Sequence, residues 1–335
     1  MPLKKNNLLV TKPSFLANAL LAKLAILLAV SALALPAVAL AESSDSQDIG
    51  EDQTISPEDL RELGLNPDTV DSDQGAQRSF AAPTRNTIHL GKMAAKAGDT
   101  VRSVAYRYFT SPSLLALVNH ISFARGANPA LPPGTPVQVP IAHGSVSGFA
   151  QGEQLLPGPG IQTGESLDRK WGRPQTVQLL RQAFSEVQRH WPQRHPAIVG
   201  SLSRQGGGKL GRHKSHRSGQ DVDVGYYTVA ANRKDWGTPK LEEIDYERTW
   251  YLVDWLEQSG HVAAIFMAPS IQRKLYTYAA QKGVPEARLR SLFQYGPKTG
   301  SGGALIRNSP GHRDHMHLRL WIPEDMQDIR AELGV

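Results

Sequence analysis

The chain has 335 residues, no cysteine, 40% hydrophobic and 20% charged residues, and a formal net charge of +6. That length suits about two domains with cores of their own, and the ordinary hydrophobic content excludes a wholly disordered chain or a multi-span membrane protein. The lack of cysteine excludes disulfides, iron–sulfur clusters, thiol nucleophiles and a lipid-bearing N-terminal cysteine, so any metal must be held by His and carboxylates.

The charge is unevenly spread. Residues 1–41 carry four lysines and no acid, residues 42–75 carry eleven acids against Arg61 alone, and residues 76–335 are left at +12. Lys4, Lys5, Lys12 and Lys23 precede an apolar run from Leu24 to Leu35, followed by Pro36 and the small-x-small triplet Ala39-Leu40-Ala41. This reads as a signal peptide over residues 1–41, cut after Ala41. The run falls short of the roughly 20 residues of a membrane span, so no span is expected after cleavage. The alternative is an uncleaved anchor helix, lengthened by Ala19–Ala22. In a bacterium the exported chain reaches the periplasm or the cell exterior. Residues 42–83 are rich in Asp, Glu, Ser and Gln and read as an acidic disordered linker. Its exception is a short helix near Pro57–Leu63 with Ser56 as N-cap and Pro57 at the first position.

Residues 84–143 form the next expected domain. A short strand ends near Lys96, and Ala97-Gly98-Asp99-Thr100 is a turn. Val101, Val104, Ala105 and Tyr108 recur at helical spacing, and Ser111-Pro112 opens a second helix. Leu131–Thr135 is a turn before a closing strand over Pro136–Ile141, giving the order β-α-α-β. The pieces Gly98-Asp99-Thr100, Val104–Tyr108, Leu114–Asn119 and Pro133–Pro140 resemble the LysM family. That resemblance implies binding of N-acetylglucosamine polymers such as peptidoglycan. The sugar groove would lie between Gly98-Asp99-Thr100 and a loop over roughly Ile121–Asn128.

Residues 144–167 are rich in Gly, Pro, Ser and Gln and read as a second linker. Over 168–335, Val177, Leu180, Phe184, Val187 and Trp191 mark an amphipathic helix ended by Pro192. Strands are expected at Ala197–Ser203, Asp221–Tyr227, Val262–Met267 and His315–Ile322. Further helices are expected around Trp250–Glu257, stopping at Gly260, and Ile271–Tyr278, ended by Gly283. Strands and helices intersperse without a βαβ repeat, so the fold class is α+β, here on an antiparallel sheet.

The histidines cluster. Five of the eleven are His213, His216, His312, His315 and His317. On a strand, His315 and His317 share one face with Met316, Leu318 and Leu320 on the other; likewise Asp221, Asp223 and Gly225 share a face backed by Val222 and Val224. Two His-bearing segments and a strand Asp can supply a His₂Asp set with the open fourth position of catalytic zinc. Taken alone, His-x-His is as well read as a solvated strand face and Asp-x-Asp as a capped turn.

The segment His213-Lys214-Ser215-His216-Arg217-Ser218-Gly219-Gln220-Asp221-Val222-Asp223 resembles the lysostaphin/D-Ala-D-Ala metallopeptidase/hedgehog superfamily. Within it, the closer resemblance is to the penicillin-insensitive murein endopeptidase (MepA) family. The second matching motif is His312-Arg313-Asp314-His315-Met316-His317-Leu318-Arg319, and Ile265–Ile271 lies between the two. The resemblance covers about residues 165–323. It implies a zinc metallopeptidase domain over 168–335, with His216, Asp223 and His317 as ligands to one catalytic zinc ion. It further implies His315 as the His that takes part in catalysis and His312 as another active-site His. His213 matches a His that binds a second ion in the family, with Asp235 and Asp245 as candidates to complete that site.

The implied substrate is cross-linked peptidoglycan, cut at the D-alanyl–meso-diaminopimelyl bond. In such a site His315 would act as general base, His312 would stabilise the oxyanion, and Asp221 would hold an imidazole N–H or cap a turn. Asp314 stands where dipeptide-trimming relatives place a Glu base, so it is a second candidate base. The absence of cysteine pairs and the N-terminal LysM-like module set the chain apart from short family members. The rival readings are a D-Ala-D-Ala-type zinc carboxypeptidase and a non-enzymatic peptidoglycan-binding protein. Nucleic acid is not an expected partner, since the chain is read as exported and shows no nucleic-acid motif.

Overall fold

The structure is a computed structural model, and it describes residues 57–66, 88–142, 148–149, 151–163, 166–233, 236–295 and 303–325. The export signal, most of the acidic linker and Asp235 lie outside the described residues. All the described residues fall within one unit, 48–335.

The expected linker helix is present as α1 (Pro57–Glu62), with Glu58 and Asp59 in its first turn. Leu60 and Leu63 are buried, so this helix packs on the body of the protein and is not a free spacer. The β-α-α-β order holds in the small lobe. Strand β1 (Ile88–Ala94) pairs antiparallel with β2 (Pro136–Ala142), and helices α2 (Val101–Arg107) and α3 (Pro112–Val118) lie between them in sequence. Thr100 caps α2 through a capping box with Ser103, and Ser111 caps α3 with Pro112 at its start. These caps satisfy amide groups that the first helical turn leaves orphaned. Val101, Val104, Ala105, Leu115, Val137, Val139 and Ile141 form the shared core.

The large lobe is built on a six-stranded sheet. Its strands are β4 (Ile161–Thr163), β6 (Ala197–Val199), β7 (Asp221–Gly225), β8 (Val262–Met267), β9 (Ile306–Asn308) and β10 (His315–Leu320). The α+β class is borne out, but the sheet is mixed. The pairs β6–β7, β7–β10 and β10–β8 are antiparallel, whereas β4–β6 and β8–β9 are parallel. The short edge strands account for the difference, because three residues show no alternation to read. One of them, β4, lies inside the stretch read as a linker, as does the first strand of the small pair β3 (Glu153–Gln154) and β5 (Trp171–Gly172).

Helices α4 (Pro174–His190), α5 (Tyr246–Ser259), α6 (Pro269–Gln281) and α7 (Glu286–Leu292) complete the large lobe. The first three follow the expected apolar spacing, and α5 ends at Gly260 in the left-handed conformation (φ 79°) as a glycine allows. The short α7 was not expected.

The two lobes are joined along the end of α5. Arg102 donates to the Glu257 side chain at 2.7 Å and to the Glu257 carbonyl at 2.6 Å. Gly126 N donates to Gln258 O, Arg125 to Trp255 O and Ser113 N to Gly260 O, each at 2.9 Å. Arg307 donates to the Tyr106 carbonyl and Ser111 to the Trp321 carbonyl.

Candidate metal centre

The site follows from strand register. Strand β10 runs beside β7 so that His317 lies opposite Asp223, His315 opposite Gly225 and Arg319 opposite Asp221. Directly paired residues share a face. The alternating apolar residues Met316, Leu318, Val222 and Val224 are fully buried behind the sheet. Burial of that set pins the register, since a slip of one residue would turn the imidazoles into the core.

On the functional face the donors converge on one carboxylate. His216 Nε2 and His317 Nδ1 each lie 3.1 Å from Asp223 Oδ1. His315 Nε2 lies 3.5 Å from the same oxygen. The remaining ring nitrogens fix the tautomers. His216 Nδ1 is 2.9 Å from the Leu202 carbonyl and can only donate to it, which leaves Nε2 turned to Asp223. His317 Nε2 donates to Asp221 Oδ1 at 2.8 Å, which leaves Nδ1 turned inward. Arg319 Nε also donates to Asp221 Oδ1, at 3.0 Å. This is the pattern of metal-ligating histidines, with the outer nitrogen anchored and the inner one presented. His216 Nε2 and His315 Nε2 are buried and make no hydrogen bond of proper geometry.

His213 joins this group. One donor atom each from His213, His216 and Asp223 lie within 4.8 Å of one another. Asp245 is elsewhere, capping α5 by accepting from Arg248 N at 3.1 Å. His312 is buried beside the centre, its ring 4.8 Å from that of His315 and 6.0 Å from that of His317. Its carbonyl accepts from Tyr226 Oη at 3.0 Å and from Ala268 N at 3.2 Å, which anchors the loop before β10.

The charges are mutually held. Burial pushes the Asp223 carboxyl up, but His216 and His317 beside it hold it well below the usual carboxylate range. Burial likewise opposes ionisation of Asp221, and Arg319 and His317 bring it down to about 2. Burial lowers His216, His315 and His317, yet their carboxylate neighbours lift all three above the ordinary imidazole value. Two buried carboxylates ringed by imidazoles thus form a cluster that favours positive charge. The set whose donor atoms converge closely enough for a divalent cation is His213, His216 and Asp223, with His317 Nδ1 against the same carboxylate, and it contains only nitrogen and oxygen donors.

Asp314 is not free to act alone. Its Oδ1 accepts from His315 Nδ1 at 2.8 Å and its Oδ2 from Trp236 Nε1 at 3.0 Å. Trp236 was missed from sequence, although an aromatic inside the polar stretch Arg233–Lys240 was the available signal. The loop ahead of β7 is strongly basic. Arg204, Lys209, Arg212 and Lys214 are exposed on it, and it carries no acid between Arg204 and Arg217.

In the small lobe, Gly98, Asp99 and Thr100 have structural duties. Gly98 adopts φ 84° with open space around it, Asp99 is buried against Arg107 and Lys96 N, and Thr100 is the α2 cap. The loop over 121–128 is held by the end of α5 through Gly126, Arg125 and Arg102.

Residues 143–284 match the profile of a family described as penicillin-insensitive murein endopeptidase. A protein of that name from Klebsiella pneumoniae subsp. pneumoniae is 25% identical over 198 residues, covering 53% of this chain. The alignment spans 64% of that relative, just under two thirds of its length. These findings bear out the family resemblance carried by the motifs. The matched stretch contains His213, His216 and Asp223 and ends ahead of His312, His315 and His317.

Proposed function

We propose that the chain is an exported, zinc-dependent peptidoglycan endopeptidase that hydrolyses peptide cross-links, the D-alanyl–meso-diaminopimelyl bond being the one the family resemblance implies. The observation that carries this reading is the convergence of His216 Nε2 and His317 Nδ1 on Asp223 beneath His315. His216, Asp223 and His317 hold the ion, and His213 stands beside them as a ligand for a second one. The chemistry such an ion supplies is Lewis acidity, which activates water and polarises the scissile carbonyl.

The chain's own residues supply the rest. His315 is anchored at Nδ1 by Asp314, so its Nε2 takes the proton of the attacking water and passes it to the leaving amine. His312, its ring 4.8 Å from that of His315, stabilises the oxyanion. The exposed cations Arg204, Lys209, Arg212 and Lys214, on the loop that carries His213, attract the carboxylates of stem peptides. The small lobe is read as a LysM-like, glycan-binding part, with Gly98-Asp99-Thr100 at the edge of its groove. Periplasm or cell exterior is the matching location, and among the described residues no helix is long and apolar enough to cross a membrane.

The test is digestion of purified cross-linked and monomeric muropeptides, read by mass spectrometry. Cross-linked dimers should fall to monomers, a chelator should stop the reaction and zinc should restore it. His216→Ala should lose both the metal and the activity. Shortening of monomers alone would establish the carboxypeptidase reading instead. Digestion indifferent to chelator, or no digestion by metal-loaded protein, would refute the proposal.

A further inference from the structure

The hydrogen-bond chain behind His315 extends one residue further than the motif. We propose that Trp236 and Asp314 are positioning residues that hold His315 in one tautomer and one orientation at the metal centre. This rests on the reading of His315 as the proton carrier of that site.

Three observations converge. First, both oxygens of Asp314 are committed, Oδ1 to His315 Nδ1 at 2.8 Å and Oδ2 to Trp236 Nε1 at 3.0 Å. A carboxylate held at both oxygens is restrained in rotation, and a flip of the imidazole would break the bond from its Nδ1. Second, the indole also packs on the imidazole, with ring centroids 5.5 Å apart and planes inclined by 38°. Third, the fold makes room for the indole. A Cβ at Gly200, just past β6, would come within 2.6 Å of the Trp236 ring, whereas one at Gly225 would sit in ordinary contact with it at 3.7 Å. Gly225 is the residue paired with His315. Arg233 then fastens the indole's own loop, donating to Tyr226 O at 2.6 Å and to the Gly237 carbonyl.

The outcome is that His315 keeps a proton on Nδ1, because Asp314 Oδ1 can only accept, and turns Nε2 toward Asp223. Asp314 thus serves the imidazole, much as a buried Asp serves the His of a hydrolytic triad, and is no base in its own right. Trp236 acts only through it.

Steady-state kinetics on a soluble muropeptide dimer, with metal content measured in parallel, tests this. Trp236→Phe keeps the ring and removes the N–H. It should lower kcat by about tenfold with KM and metal content unchanged. Asp314→Asn should lower kcat by about a hundredfold or more, again at unchanged metal content. The double variant should be no slower than Asp314→Asn, because the tryptophan works through the carboxylate. A rise in KM alone, or multiplying losses in the double variant, would overturn the proposal. A readout without turnover is imidazole ¹⁵N NMR of the zinc-loaded protein. It should show His315 as the Nδ1–H tautomer, and a mixture in Asp314→Asn. If the wild-type protein cuts nothing, the proposed function fails, yet the tautomer measurement still decides this inference: equal spectra in the two proteins would sink it.

Discussion

At the scale of single residues, the structure uses histidine in two opposite ways. Around Asp223 the imidazoles are ringed by carboxylates, which raise their proton affinity. His195 shows the reverse. Burial, assisted by the Arg248 charge, lowers its pKa below the ordinary imidazole value. Its Nδ1 lies 2.9 Å from the Pro196 carbonyl, and Thr228 N donates to its Nε2 at 3.1 Å, a bond that needs the neutral ring. The sign follows by linkage. The unfolded chain takes up a proton near pH 6.5 where the native chain resists it, so native stability falls as pH drops through and below that value. Urea unfolding between pH 8 and 5 should therefore show the stability of His195→Gln rising relative to that of the wild type as pH falls, since the raised imidazoles around Asp223 are common to both proteins. An unchanged pH slope in the variant would mean that another group carries the effect.

At the scale of elements, strands long enough to alternate and helices long enough to show a period were legible in sequence. The segments 221–225 and 315–320 were readable because buried valines, Met and Leu alternate with Asp and His, and that alternation is also what pairs His317 with Asp223. Hence the ligand candidates were visible without any contact map. What stayed hidden depends on tertiary placement. The three-residue edge strands β4 and β9 are set by their neighbours, and Trp236 reaches His315 from a loop some 80 residues earlier in the chain only through the fold. The role of Gly200 is of the same kind. Its amide donates to Asp223 O at 2.8 Å, and its missing side chain leaves space for both the indole and the Asp223 Cβ, which a Gly200 Cβ would approach to 3.0 Å. Gly200→Ala should cost about 1–3 kcal/mol of stability by overpacking. It should also weaken zinc binding in a competition titration with a chromophoric chelator. Wild-type affinity and stability in this variant would show that the indole shifts freely.

At the scale of the whole molecule, the small lobe does not behave as a bead on a string. The last turn of a helix leaves carbonyls without partners, and in α5 the small lobe supplies the donors. Arg102, Arg125, Gly126 and Ser113 bind the carbonyls of Glu257, Trp255, Gln258 and Gly260 in turn. The ion pair at the centre of this seam is buried, Arg102 and Glu257 being 6% and 5% exposed, and Glu257 also accepts from Arg288 at 2.7 Å and from Tyr106 Oη at 3.1 Å. Removing one member of such a pair leaves a charge buried without its partner, a loss of about 3–5 kcal/mol. Glu257→Ala should therefore lower the urea midpoint sharply, although it lies far along the chain from every metal-centre residue of β10. Calorimetry of the intact protein should show one unfolding transition for both lobes. Deleting residues 88–142 should then abolish muropeptide cleavage together with binding to insoluble peptidoglycan, because α5 loses its cap and the sheet behind the metal centre loses its support. Two separate transitions, or full cleavage of soluble muropeptides by the truncated chain, would mean that the seam only tethers the lobes.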